Sequence, residues 1–91
     1  PNFPNPFNAS TMIRYELPSM VSSASTPVQL TIYNLLGHKI RTLIDQQQEP
    51  GYHSILWDGR NSRGLSVASG VYFYRISVGE HIRSRRMLLL R

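Results

Sequence analysis

An all-β fold, an antiparallel sandwich of six or seven short strands, is predicted by three features of this 91-residue chain. Apolar and polar residues alternate over short segments, which is the period of a strand with one buried face. Clusters of Gly, Pro, Asn and Ser separate those segments at turn spacing. No segment carries a convincing helical period, and this pattern of strands and turns points to a sandwich. One stretch organises the rest, W-D-G-R-N-S-R-G-L-S-V-A-S-G-V-Y-F-Y-R-I from Trp57 to Ile76. A strand ends at Trp57, the only Trp. A polar loop follows, and a second strand begins at Gly70. β-Branched and aromatic residues suit a pleated, half-buried surface. Tyr72, Tyr74 and Ile76 share a face without charge, assigned to the core, while Val71, Phe73 and Arg75 take the other.

The elements follow in order. Residues 1–10 hold Pro1, Pro4 and Pro6 and read as a linker exit leading into the first strand, with Phe3 and Phe7 placed against the body. Residues 11–91 then form the single sandwich domain. Thr11 to Leu17 alternates, with Ile13, Tyr15 and Leu17 on one face, and Pro18 ends the strand. A Ser-rich connection follows, with Met20 and Val21 expected to turn inward. Val28, Leu30 and Ile32 mark the inner face of the second strand. Asn34-Leu35-Leu36-Gly37 is a turn in which Gly37 supplies the positive φ of a three-residue loop. One of its two leucines is expected to fold back onto the sheet.

The third strand covers His38 to Asp45. Its Ile40, Leu43 and Ile44 break strict alternation and predict a bulge. The same residues fit a helical period, but the segment is short for a helix. Pro50-Gly51 suits the centre of a type II turn. The fourth strand, Tyr52 to Trp57, turns His53, Ile55 and Trp57 inward. Gly79 fits the first central position of a type II′ hairpin turn, and the last strand runs from His81 to Leu90. That hairpin sets Tyr74 opposite Arg85 and Tyr72 opposite Met87. An Arg beside a core Tyr predicts either a bulge or Arg85 stacked on an aromatic ring. The expected core is Ile13, Tyr15, Leu30, Ile32, Ile55, Trp57, Tyr72, Tyr74 and Ile76.

The totals bound the chemistry. The chain has no Cys, so neither a disulfide nor a thiolate is available. No apolar run reaches the ~20 residues that span a bilayer, and no signal peptide is visible, so an export signal would belong to a longer parent. The net charge is +5, and Arg83, Arg85, Arg86 and Arg91 are four of the ten basic Lys and Arg residues. Such a run reads as a solvated edge strand or as a site for an anionic partner. Scattered arginines elsewhere, with no helix or base-stacking platform, exclude nucleic acid.

No catalytic residues emerge. Asp58 follows Trp57 and precedes Gly59, a context for an Asx turn; calcium ligation is the competing use, opposed by Arg60 at what would be a ligand position. His38, His53 and His81 lack metal-ligand spacing, and His53 reads as a hydrogen-bonded core or rim residue. Ser54 and His53 are strand neighbours pointing to opposite faces, so they cannot act as nucleophile and base. G-R-N-S-R-G lacks the Lys-Ser/Thr pair of a phosphate loop. No cofactor or metal is implied.

Several motifs together carry a family resemblance: P-N-P-F-N at 4–8, I-R-Y-E-L-P at 13–18, I-Y-N-L-L-G at 32–37, R-T-L-I at 41–44, P-G-Y-H-S-I-L-W-D-G-R at 50–60, V-A-S-G-V-Y-F-Y-R-I at 67–76 and R-R-M-L-L-L-R at 85–91. The chain resembles the C-terminal sorting domain of the type IX secretion system, a group overlapping the immunoglobulin-like domain of the flagellar hook-capping protein. The resemblance implies an immunoglobulin-like antiparallel β-sandwich of about seven strands, without catalytic activity, at the end of a larger protein secreted by Bacteroidetes and related Gram-negative phyla. It implies passage through the periplasm to the cell surface, with the outer-membrane secretion machinery and lipopolysaccharide as partners and a cargo domain on the N-terminal side. By residue match, the terminal segment Arg85, Arg86, Met87, Leu88, Leu89, Leu90 and Arg91 is the expected recognition element. Trp57, Asp58, Gly59, Gly70, Tyr72 and Tyr74 are the expected structural residues. The Ser-rich connection at 19–27 is longer than the family pattern, and the final residue is Arg where Lys is common. Export and surface attachment is the first functional expectation. A hook-cap-like assembly module and a carbohydrate-binding sandwich, for which Tyr33 and Tyr52 would be the aromatic platform, are the alternatives.

Overall fold

Alternating segments become strands wherever one face finds a core, and six do so among the described residues. The computed structural model describes residues 10–18 and 25–90. The strands are β1 (Thr11–Leu17), β2 (Thr26–Tyr33), β3 (Lys39–Gln48), β4 (Gly51–Trp57), β5 (Gly70–Val78) and β6 (His81–Leu89). They form two antiparallel sheets, a two-stranded β1-β4 and a four-stranded β3-β2-β5-β6. The expectations for Phe3, Phe7, Met20 and Val21 lie outside the described residues, as do most of the linker exit and Arg91.

The facing sides of the sheets bury Ile13, Leu17, Val28, Leu30, Ile32, Ile44, Trp57, Tyr72, Ile76 and Leu89. Tyr15, Ile55 and Tyr74, expected in the core, are only partly buried against it. They lie towards the margin of the smaller sheet, where two strands cannot cover four. β3 keeps an extended path through the ambiguous I-R-T-L-I run. Its register against β2 shifts twice, leaving Leu43 and Ile40 without opposite partners, so the predicted bulge is present and doubled. The turn after β2 is closed by Asn34 N–H donating to His38 O at 3.0 Å and Gly37 N–H donating to Asn34 O at 2.9 Å. Asn34 Oδ1 accepts the N–H groups of Leu36 and His38. Because Asn34 holds this loop with its own side chain, neither leucine is needed as an anchor. Leu35 and Leu36 are both exposed, Leu36 at 79%, contrary to the expected fold-back. Pro50 and Gly51 carry the chain from one sheet to the other, with Gly51 already in β4 at φ +125°.

The β5–β6 hairpin has a two-residue turn with Val78 opposite His81. Gly79 takes φ +58° and no residue other than glycine has positive φ among the described residues, so Glu80 does not, as a type II′ turn requires. This closure makes Val78–His81 a hydrogen-bonded pair, and pairs then alternate along the ladder. Odd-numbered residues of β6 therefore direct their N–H and C=O groups to β5, and even-numbered residues direct theirs to the free edge. Leu88 O, on that free edge, accepts a hydrogen bond from Thr11 Oγ1 at 3.2 Å. Tyr74 does lie opposite Arg85, but the ladder has no bulge and Arg85 is exposed. Neither relief is needed, because the small sheet leaves this part of β6 uncovered. Among the described residues, the arginine found over an aromatic ring is Arg75, 5.1 Å from the centre of Tyr33.

Trp57 is fully buried, and its ring meets Tyr72 edge to face at 5.1 Å and 72°. Truncating a buried Trp costs about 3–5 kcal/mol, and each kcal/mol shifts the melting point of a domain this size by about 4–8 °C. Trp57→Ala is accordingly expected to lower the Tm by roughly 15 °C or more. Calorimetry showing a cooperative melt within a few degrees of wild type would contradict this packing account.

Candidate functional site

Two regions combine polar groups with special geometry: the loop between β4 and β5, and the gap between β1 and β6. The loop is built on the two core rings. Trp57 Nε1–H donates to Arg60 O at 3.0 Å, and Tyr72 O–H donates to Ala68 O at 2.6 Å. Between these points Val67 N–H donates to Gly59 O, Asn61 Oδ1 accepts from Arg63 and Leu65 N–H, and Ser62 N–H reaches Ile40 O on β3. Gly59 is buried at φ +73°, a backbone conformation that a side chain disfavours. Asp58 Oδ1 accepts Arg60 N–H at 3.2 Å, the predicted Asx contact. It also pairs with Arg41 at 3.0 Å, while Oδ2 lies 3.8 Å from the Arg60 side chain. Two arginines thus occupy the carboxylate that calcium would have needed. Both pairs are exposed and contribute little to stability. This loop is a structural corner.

The gap between β1 and β6 has a different character. Both are edge strands. They meet where Thr11 touches Leu88, and towards the other end they enclose an open groove of about 600 Å³. Tyr74, Ile76 and Val78 of β5 form its floor. His81, Arg83 and Arg85 form one wall, and Arg14, Tyr15, Glu16 and Pro18 the other. Tyr15 is half-buried, stacks on His53 with ring centres 5.3 Å apart, and donates its O–H to Gln48 Oε1. Burial raises its phenol above the ordinary value of 10.0, and the Gln48 hydrogen bond lowers it in part. His53 is held by Glu49 O, 2.7 Å from Nε2, as a rim residue.

The sequence-derived recognition segment is divided by the fold. Arg85, Arg86, Leu88 and Leu90 are exposed and Met87 is half-buried. Leu89 is fully buried in the core, and so is a structural residue. Its placement follows from parity, since it pairs with Gly70 on the face that Tyr72 and Tyr74 share. The groove combines Arg85 with Arg83, His81 and Arg14, which sequence reading left apart. Counting outward from the hairpin turn places 81, 83 and 85 on the floor side of β6, as the pairing of Arg85 with Tyr74 already indicated for one of them. Tyr52 is 85% exposed on the outer face of the small sheet, while Tyr33 lies on the outer face of the large sheet beneath Arg75. They do not form a common carbohydrate platform. Among the described residues, no three His, Asp or Glu side chains are grouped as a metal site would need, and no helix is long and apolar enough to cross a membrane.

A two-sheet antiparallel sandwich in which a strand tyrosine is tied to the backbone four residues upstream defines an immunoglobulin-like domain. The profile of one such family, the FlgD Ig-like domain, matches residues 8–81. The chain belongs to the FlgD Ig-like domain family. Among solved structures it is similar to FlgD from P. aeruginosa, with 27% identity and a TM-score of 0.54 over 92% of this chain. It spans 58% of that protein's length. No curated protein matches the sequence.

The phenol of Tyr15 gives a pH-dependent signature. Below about pH 10 it is neutral in both states. Between that pH and its raised folded value the unfolded chain loses the proton first, so stability declines as pH rises. The Tm is expected to fall above about pH 10, and less steeply in Tyr15→Phe. Parallel curves for the two proteins between about pH 9 and 11.5 would refute the assignment.

Proposed function

We propose that this domain is a non-catalytic structural module of a larger exported protein, docking onto neighbouring subunits in the manner of a flagellar hook cap, with the β1–β6 groove as its docking face. The observation that carries this reading is the match of residues 8–81 to the FlgD Ig-like domain, supported by structural likeness to a FlgD protein over 92% of the chain. The site chemistry is in keeping with it. Ser54 is exposed on the outer face of β4, whereas His53 turns towards Tyr15, so a hydroxyl and a base do not meet there. Stable protein association needs accessible backbone or apolar surface. Here an edge strand supplies both, through its unpaired backbone and exposed Ile82 and Leu88. The setting proposed is the exterior of a Gram-negative cell, reached through the periplasm.

Deleting residues 10–90 from the parent protein in its own host separates this reading from sorting by type IX secretion. Loss of the assembled surface structure, with export of the truncated parent preserved, is the expected outcome under electron microscopy and fractionation. Normal assembly with the truncated parent trapped in the periplasm would overturn it in favour of an export signal.

A further inference from the structure

We infer that the β1–β6 groove receives an extended segment of a partner protein in which Asp or Glu alternates with apolar residues, added to the large sheet as a strand along β6. This rests on the docking reading of the same face and names the chemistry of what docks. The first observation is backbone parity. Ile82, Ser84 and Arg86 direct their N–H and C=O groups away from β5, towards an edge that no described strand covers. Such an edge is a template for another strand, with main-chain hydrogen bonds giving affinity and alternate side chains giving specificity.

The second observation is the side-chain pattern that an added strand would meet. On the inner face it would lie beside Arg83 and Arg85, which stand next to Ile76 and Tyr74 in the ladder. Arg14 rises from the opposite wall. None of these three arginines has an ion-pair partner among the described residues, and Glu16 is the one acid lining the groove. On the outer face the strand would lie beside Ile82, 61% exposed, followed by Ser84 and Arg86, and would stop short of Leu88, whose edge carbonyl Thr11 takes. Strand side chains alternate between faces. A partner strand with carboxylates at every second position meets the inner arginines, and an apolar residue between them meets Ile82.

Inward-pointing charges also protect edge strands from indiscriminate pairing. Here that protection is selective, since arginines repel a basic or apolar strand and admit an acidic one. The net charge of +5 favours the same encounters at long range. Apart from His81, the basic wall of β6 lies beyond residues 8–81, the span matched to the family.

The test uses the 91-residue chain and labelled peptides of about eight residues, the usual strand length. One alternates Val with Glu, one alternates Val with Lys, and one is the Val-Glu peptide N-methylated at alternate residues to remove strand hydrogen bonds. The Val-Glu peptide is expected to bind, with NMR shifts at the amides of Ile82, Ser84 and Arg86. Combining Arg83→Glu with Arg85→Glu should weaken it by about tenfold or more. Both side chains are exposed, so an unchanged Tm confirms that the variant is folded. Equal binding of the Val-Lys peptide, insensitivity to N-methylation or to the double substitution, or no binding of the Val-Glu peptide would each overturn the inference. Assembly lost on deletion of the domain, with no Val-Glu binding, would remove this inference and leave the docking reading standing. Val-Glu binding with assembly intact would do the reverse.

Discussion

The structure depends on one pair of rings whose polar ends are both satisfied by the same loop. Trp57 and Tyr72 come from different sheets and meet edge to face at 5.1 Å. Each carries a buried donor that would destabilise the core if unpaired. The indole N–H is taken by Arg60 O and the phenol O–H by Ala68 O. The requirement to satisfy two aromatic donors thus fixes the path of the chain between β4 and β5. Hydrophobic closure and loop geometry are one constraint here. Among the described residues, no buried side-chain polar atom lacks a hydrogen-bond partner.

The second determinant is unequal width. Two strands face four, and the ring pair holds the smaller sheet over β2 and the near ends of β5 and β6. The other end of β6 is left bare. There the side chains change from Leu89 and Met87 to Arg85, Arg83 and His81 on the same face, and burial falls away along the strand. The arginines are where coverage stops, and the groove follows from this mismatch.

Much of this was legible in the residues. Alternation in I-R-Y-E-L, V-Q-L-T-I and H-S-I-L-W located three strands and their inner faces, and the irregular spacing of Ile40, Leu43 and Ile44 announced the β3 bulges. The II′ turn at Gly79 set Tyr74 opposite Arg85, and the expected bulge that would have moved this register is absent. Failures occurred where a local pattern needed a nonlocal partner to be interpreted. One of Leu35 and Leu36 looked like an anchor, because nothing in the turn reveals that Asn34 would hold it alone. Leu89 lay in a run of three leucines, and only its pairing with Gly70 separates it from exposed Leu88 and Leu90. The groove was invisible for the same reason. Sheet width is a property of which strands pair, and alternation within a strand carries no information about it.

Residue-resolved hydrogen exchange of the 91-residue chain tests the central claim, a core locked by two rings beside an edge left open. The amides of Ser62 and Val67, held by Ile40 O and Gly59 O, should be protected nearly as strongly as the core strands. Along β6, protection should alternate, strong at Arg83 and Arg85 and weak at Ile82, Ser84 and Arg86. Uniform protection along β6, or rapid exchange throughout the loop from Asp58 to Ser69, would contradict the account.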